Sequence, residues 1–143
     1  MYNMKEFYYI NLNPLKKRTG DCVVRALAFF LGIPWKEAFF DLIMFCADKG
    51  LVNFNYISTY TAFMKDKGYV RQKPPYKGIS IGEFCEKIAD EGYVYIIQTK
   101  RHMTIICDMD VFDTWDCRDR EVIYYWKRQK MNDYGGESCL RRQ

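Results

Sequence analysis

An α+β domain is what the sequence predicts, and three observations carry it. Apolar residues recur at helical spacing from Val23 to about residue 90. From Tyr93 to about residue 128, β-branched and aromatic residues dominate instead. The 143 residues suit one sizeable core and leave no room for two, so residues 1–143 are read as a single domain. Helices first and antiparallel strands after is the α+β order: N-terminal helices, the first opened by Cys22, packed on an antiparallel sheet.

Each element follows from local signals. Asp21 can cap a helix whose Val23, Ala26, Leu27, Phe30 and Leu31 fall on one face, and Gly32 ends it. Pro34 opens a second helix through about Asp48, with Gly50 behind it; its expected buried face is Ala38, Phe39, Leu42, Ile43 and Cys46. "YISTYTAFMKDKG" reads as a third helix closed by Gly68, and the two prolines of "RQKPPYKG" make that stretch a loop. Ser80 and Glu83 have capping-box spacing for a fourth helix to about Asp90. After Gly92, "YVYIIQT", "HMTIICD" and "VFDTWDC" read as strands, the last two joined by a tight turn near Asp108 to Asp110. "EVIYYWKR" is a further strand, and "MNDYGGESCLRRQ", from about residue 131, is a loose tail whose Gly135–Gly136 pair marks a flexible end.

Charge and cysteine usage narrow the function classes. The net charge is +4, with basic residues grouped at 16–18, 100–102, 127–130 and 141–142. That is sparse for a nucleic-acid-binding face, and a solvated surface explains it. The N-terminal "MYNMKEFYYINLNP" has no apolar stretch long enough for a signal peptide, and no segment approaches a membrane span. Six cysteines are scattered without a C-x-x-C pair, which with no secretory signal argues for reduced thiols in a cytoplasm. No phosphate-binding glycine loop is present, and no cofactor is expected. Cys107, Cys117 and His102 lack finger-like spacing, so no metal is expected either.

The chemistry concentrates in "RTGDCVVRALA", where Cys22 follows a Thr-Gly-Asp turn and precedes an apolar helix. A thiol in the first turn of a helix feels the positive end of the macrodipole, which favours thiolate, the attacking species. Nearby N–H groups can also hold a developing oxyanion. Such a thiol needs an imidazole, and the chain contains a single histidine, His102, at the start of an expected strand. An acid on the next strand would complete a Cys-His-Asp triad. With a two-residue turn at Asp108–Met109, His102 lies opposite Trp115 and shares its sheet face with Asp113. A three-residue loop would instead put Asp116 opposite His102. The shorter turn is preferred, which makes Asp113 the expected acid.

"TGDCVVRALAFFLGIPWKEAF" together with "HMTIICDMDVFDTWDCR" resembles small papain-like cysteine peptidases of the C39-like group, many of them encoded by phages and mobile elements. The resemblance covers the Cys22 helix and the His102 hairpin; the middle helices match in pattern only. It implies Cys22 as nucleophile, His102 as general base and Asp113 as the acid that orients it. Papain-like enzymes usually place a glutamine shortly before the nucleophile to complete the oxyanion hole. The preceding "NLNPLKKRTGD" has none, leaving Asn11, Asn13 or Lys17 as candidates. The implied activity is a thiol hydrolase or acyl transfer on a peptide, isopeptide or amide of a protein or peptide substrate, in a host cytoplasm if phage-encoded. The alternative is a non-catalytic, phage-encoded binding protein on the same scaffold, for example one that blocks a host defence component. A nucleic-acid-associated protein using the basic clusters and exposed tyrosines is a third reading.

Overall fold

Nine elements follow one another among residues 5–130, the residues described by the computed structural model. They are β1 (Phe7–Tyr9), α1 (Cys22–Leu31), α2 (Trp35–Lys49), α3 (Ile57–Asp66), α4 (Ile81–Lys87), β2 (Tyr93–Gln98), β3 (Met103–Cys107), β4 (Asp110–Asp113) and β5 (Tyr124–Gln129). The class is α+β. The expected loose tail, with Gly135, Gly136 and Cys139, lies outside the described residues. Among those residues no helix is long and apolar enough to cross a membrane.

The strands form one sheet in the order β1-β4-β3-β2-β5. Pairs β2–β3, β3–β4 and β2–β5 are antiparallel, but β1 runs parallel to β4. The sheet is therefore mixed, not antiparallel as expected, and a strand precedes the helices. Three residues, "FYY", are too few to show alternation, and their partners, Val111 to Asp113, are distant in sequence.

Strand alternation divides the core into two. Val94, Ile96, Met103, Ile105, Phe112 and Trp126 pack with α1, α2 and α3 on one face. Tyr95, Ile97, Ile106 and Val111 pack with Ile81, Phe84 and Cys85 of α4 on the other. Covering both faces is why β3 is buried at every position and shows no polar alternation.

The helices follow their local signals with three departures. Gly32 ends α1 at φ 69°, and the Ile33 N–H returns to the Ala28 carbonyl, a Schellman-type stop. α2 buries Ala38, Leu42 and Cys46, but Ile43 is exposed and Phe39 half-buried, because this surface helix turns a narrower stripe inward than expected. The fourth helix stops at Lys87, short of Asp90. Its capping box is half formed: Ser80 Oγ accepts the Glu83 N–H at 3.0 Å, while the Glu83 carboxylate accepts from Tyr76 and Lys87 instead. The β3–β4 turn has two residues, Asp108 (φ 49°) and Met109 (φ 71°), both left-handed as a type I′ hairpin requires. That turn pairs Cys107 with Asp110 and Ile105 with Phe112.

Candidate active site

Three separate pieces of chain deliver Cys22, His102 and Asp113 to one end of the sheet. Cys22 is the first residue of α1, reached through Gly20 at φ 66°. His102 immediately precedes β3, its carbonyl held by the Thr99 N–H (2.8 Å) and the Thr99 hydroxyl (3.1 Å) across the β2–β3 connection. Asp113 closes β4, and its carbonyl accepts the Ile10 N–H at 2.9 Å, so the unforeseen β1 anchors the strand that carries the acid.

The side chains form a continuous relay. His102 Nε2 lies 2.6 Å from Asp113 Oδ2. The Cys22 thiol shares a cleft with His102 and Met103, and the His102 side chain and the Met103 backbone N–H both act to lower its pKa. With Nε2 committed to Asp113, Nδ1 is the ring nitrogen left for the thiol. Trp115 lies against the imidazole with ring centroids 4.8 Å apart. Asp116 is not part of this relay: it is turned to solvent and paired with Arg118 at 2.7 Å. The register that the two-residue turn imposes is the reason, since it ends β4 with Asp113 on the His102 face.

Several residues that hold the relay were not singled out from the sequence. Asp113 Oδ1 accepts the Thr114 N–H (2.6 Å) and Arg25 Nη1 (3.1 Å). Cys117 Sγ donates to Oδ2 at 3.6 Å. Arg25 reaches back to Asp21 Oδ1 through Nε at 2.9 Å, while Asp21 Oδ2 accepts from Asn13 Nδ2 (3.1 Å) and Trp35 Nε1 (2.9 Å). Asp21 thus sits at the N-cap position of α1 but caps nothing with its side chain; it fastens the turn before Cys22 to the preceding loop and to α2. Helical spacing offers one hint in the sequence, because Asp21 and Arg25 are four residues apart.

The electrostatics favour an ion pair. Burial opposes charge on all three groups, yet the hydrogen bonds between them win. Burial works to lower the pKa of His102, but hydrogen bonds to Asp113, Cys117 and Cys22 push it up to about 11. Burial would raise the Cys22 thiol, but its hydrogen bond to His102 and the charges of His102 and Arg25 bring it below its ordinary value. Asp113 is likewise held below the usual carboxylate range, its burial outweighed chiefly by His102. These directions favour a thiolate beside an imidazolium. Tyr60, facing the thiol, is raised to about 12 by burial and by the Cys22 charge, and so stays a neutral phenol.

Of the expected amide donors, Asn13 is turned to Asp21. Asn11 Oδ1 accepts the Asn13 N–H at 3.0 Å, and the ammonium reaching Asn11's carbonyl is that of Lys16, not Lys17. The uncapped first turn of α1 supplies N–H groups beside the thiol instead. As for metals, His102, Asp113 and Cys117 place their donor atoms within 4.8 Å of one another, whereas Cys107 packs in the core. The 2.6 Å His102–Asp113 contact is a hydrogen bond. A tetrahedral ion with bonds of about 2.0 Å holds its donors farther apart. Cys22, Cys46, Cys85 and Cys117 are free thiols, but Cys107 is disulfide-bonded, so the expectation of reduced thiols throughout does not hold.

No family model, curated protein or solved structure matches this chain. What the site can do is argued from its own geometry.

Proposed function

We propose that this protein is a cysteine-dependent hydrolase or acyl-transfer enzyme, papain-like in arrangement, acting on a peptide, isopeptide or amide bond. One observation carries the reading: a helix-initial thiol that shares a cleft with an imidazole whose Nε2 lies 2.6 Å from a buried carboxylate. The Cys22 thiolate attacks the carbonyl carbon, and the oxygen's new charge faces the N-terminal turn of α1. His102, already protonated, gives its proton to the departing amine, and a thioester to Cys22 remains. Neutral His102 then takes a proton from water, or from an acceptor amine, as that nucleophile attacks the thioester and releases the acyl group. Asp113 fixes the ring's tautomer and stabilises its cation throughout. A reducing cytoplasm is the compartment that suits such a thiol.

Limited alkylation with iodoacetamide near neutral pH, followed by mass mapping, tests the reading. Cys22 should be modified well ahead of Cys46, Cys85 and Cys117. Burial raises the pKa of Cys46 and carries that of Cys85 to about 12, so neither competes as a thiolate. Labelling of Cys22 no faster than these buried thiols would instead leave a binding protein on the same scaffold.

A further inference from the structure

Two basic stretches more than 80 residues apart, Lys17–Arg18 and Lys100–Arg101, line neighbouring clefts that share Gly20, two residues before Cys22. We infer that the substrate presents an acidic peptide segment, with Asp or Glu side chains on both sides of the bond that Cys22 attacks. This rests on reading Cys22 as the nucleophile.

Clefts open on either side of the thiol's turn. A cleft of about 640 Å³ is lined by Cys22, His102, Ile57, Tyr60, Lys100 and Arg101. On the other side of Gly20, a cleft of about 380 Å³ is lined by Lys17, Arg18, Thr114 and Trp115. Lys17, Arg18, Lys100 and Arg101 are all exposed, and none is in an ion pair among the described residues. The acids of the centre do not neutralise them: Asp21 is paired with Arg25, and Asp113 with Arg25 and His102. Beyond His102, a third cleft of about 710 Å³ does hold acids. There Asp119 lies 3.8 Å from Arg120, and Glu121 accepts the Gly78 N–H at 3.2 Å. Lys100 and Arg101 line this third cleft too, but on the Cys22 side no acid lines the wall with them. Like charges lining low-dielectric walls concentrate anionic ligands between them.

Peptide is favoured over nucleic acid by the chemistry and by the walls. A thiolate with an acid–base imidazole acts on acyl carbon. Tracking a phosphate backbone calls for a longer basic groove with stacking platforms along it. Here Ile57 and Tyr60 furnish an apolar wall beside Lys100 and Arg101, suited to side-chain stems whose carboxylates reach the rim.

The test is fluorescence anisotropy of fluorescein-labelled hexaglutamate titrated with the intact chain, alongside labelled hexalysine and hexathymidylate. Hexaglutamate should bind best, and added salt should weaken it. The exposed pairs Lys17→Glu/Arg18→Glu and Lys100→Glu/Arg101→Glu should each weaken it by roughly tenfold, several surface charge contacts being reversed. Hexaglutamate binding unchanged by both double variants, or hexathymidylate binding more tightly than hexaglutamate, overturns the inference. Peptide binding does not need a reactive thiol, so the outcomes separate. A preferentially labelled Cys22 with no hexaglutamate binding overturns this inference alone. An inert Cys22 beside intact, charge-dependent binding overturns the enzyme reading and leaves an acidic-segment docking surface.

Discussion

Asp113 has two jobs, and its surroundings separate them. Oδ1 is held by Arg25 and the Thr114 N–H, while Oδ2 faces His102. Asp113→Asn should therefore cut turnover by about a thousandfold or more, since the imidazole loses the partner of its tautomer and cation. Asp116→Asn, which breaks only an exposed pair with Arg118, should change turnover less than about twofold and cost under ~1 kcal/mol. Turnover of a peptide substrate, with a melting curve as the folding control, checks both. Arg25 is a different case, because it bridges two buried carboxylates, Asp21 and Asp113. Arg25→Ala takes one charge partner from each, leaving Asp21 with Asn13 and Trp35 and Asp113 with His102, and should cost about 1.5–3 kcal/mol, read as a fall in Cm in urea. Cys22 and its helix-initial position were legible in the sequence. Arg25 and Trp35 were not, because nothing local shows that a helical arginine or an indole will meet a carboxylate from another part of the chain.

The elements were legible where their signals are local. Gly32 and Gly50 end α1 and α2 in the left-handed conformation, and Ser80 caps α4. Ser80→Ala should cost about 1 kcal/mol by thermal melting and leave Cys22 alkylation unchanged, because α4 packs on the sheet face away from α1. The turn at Asp108–Met109 mattered most, because the site depends on it. A one-residue difference in loop length decides which acid meets His102, and strand alternation made that choice readable in advance. β1 was not readable. Three residues pairing in parallel with a strand a hundred positions away leave no periodic trace, although that pairing secures the end of β4.

Across the whole molecule, one end of the sheet is specialised for charge while both faces serve the core. The helices α1–α3 and α4 clamp the strands from opposite sides, and the α1 N-terminus, the His102 turn and the end of β4 converge at one edge. Burying that ion-paired centre links stability to pH. His102, raised to about 11, contributes stability that is full below the ordinary histidine pKa of about 6.5 and is lost as pH rises through about 11. Asp113, lowered, contributes stability that is present above its ordinary value and lost as pH falls through its depressed one. The folded protein should accordingly hold its thiolate–imidazolium pair from the depressed thiol pKa up to that of His102. The direct measurement is the rate of Cys22 alkylation by iodoacetamide against pH, in the native chain and in His102→Gln. The native rate should rise through a thiol pKa clearly below the ordinary range of about 8.5–9 and then level off, and His102→Gln should return that pKa to the ordinary range or above it. A native Cys22 that titrates as an ordinary or suppressed thiol, with no change in His102→Gln, would contradict the account.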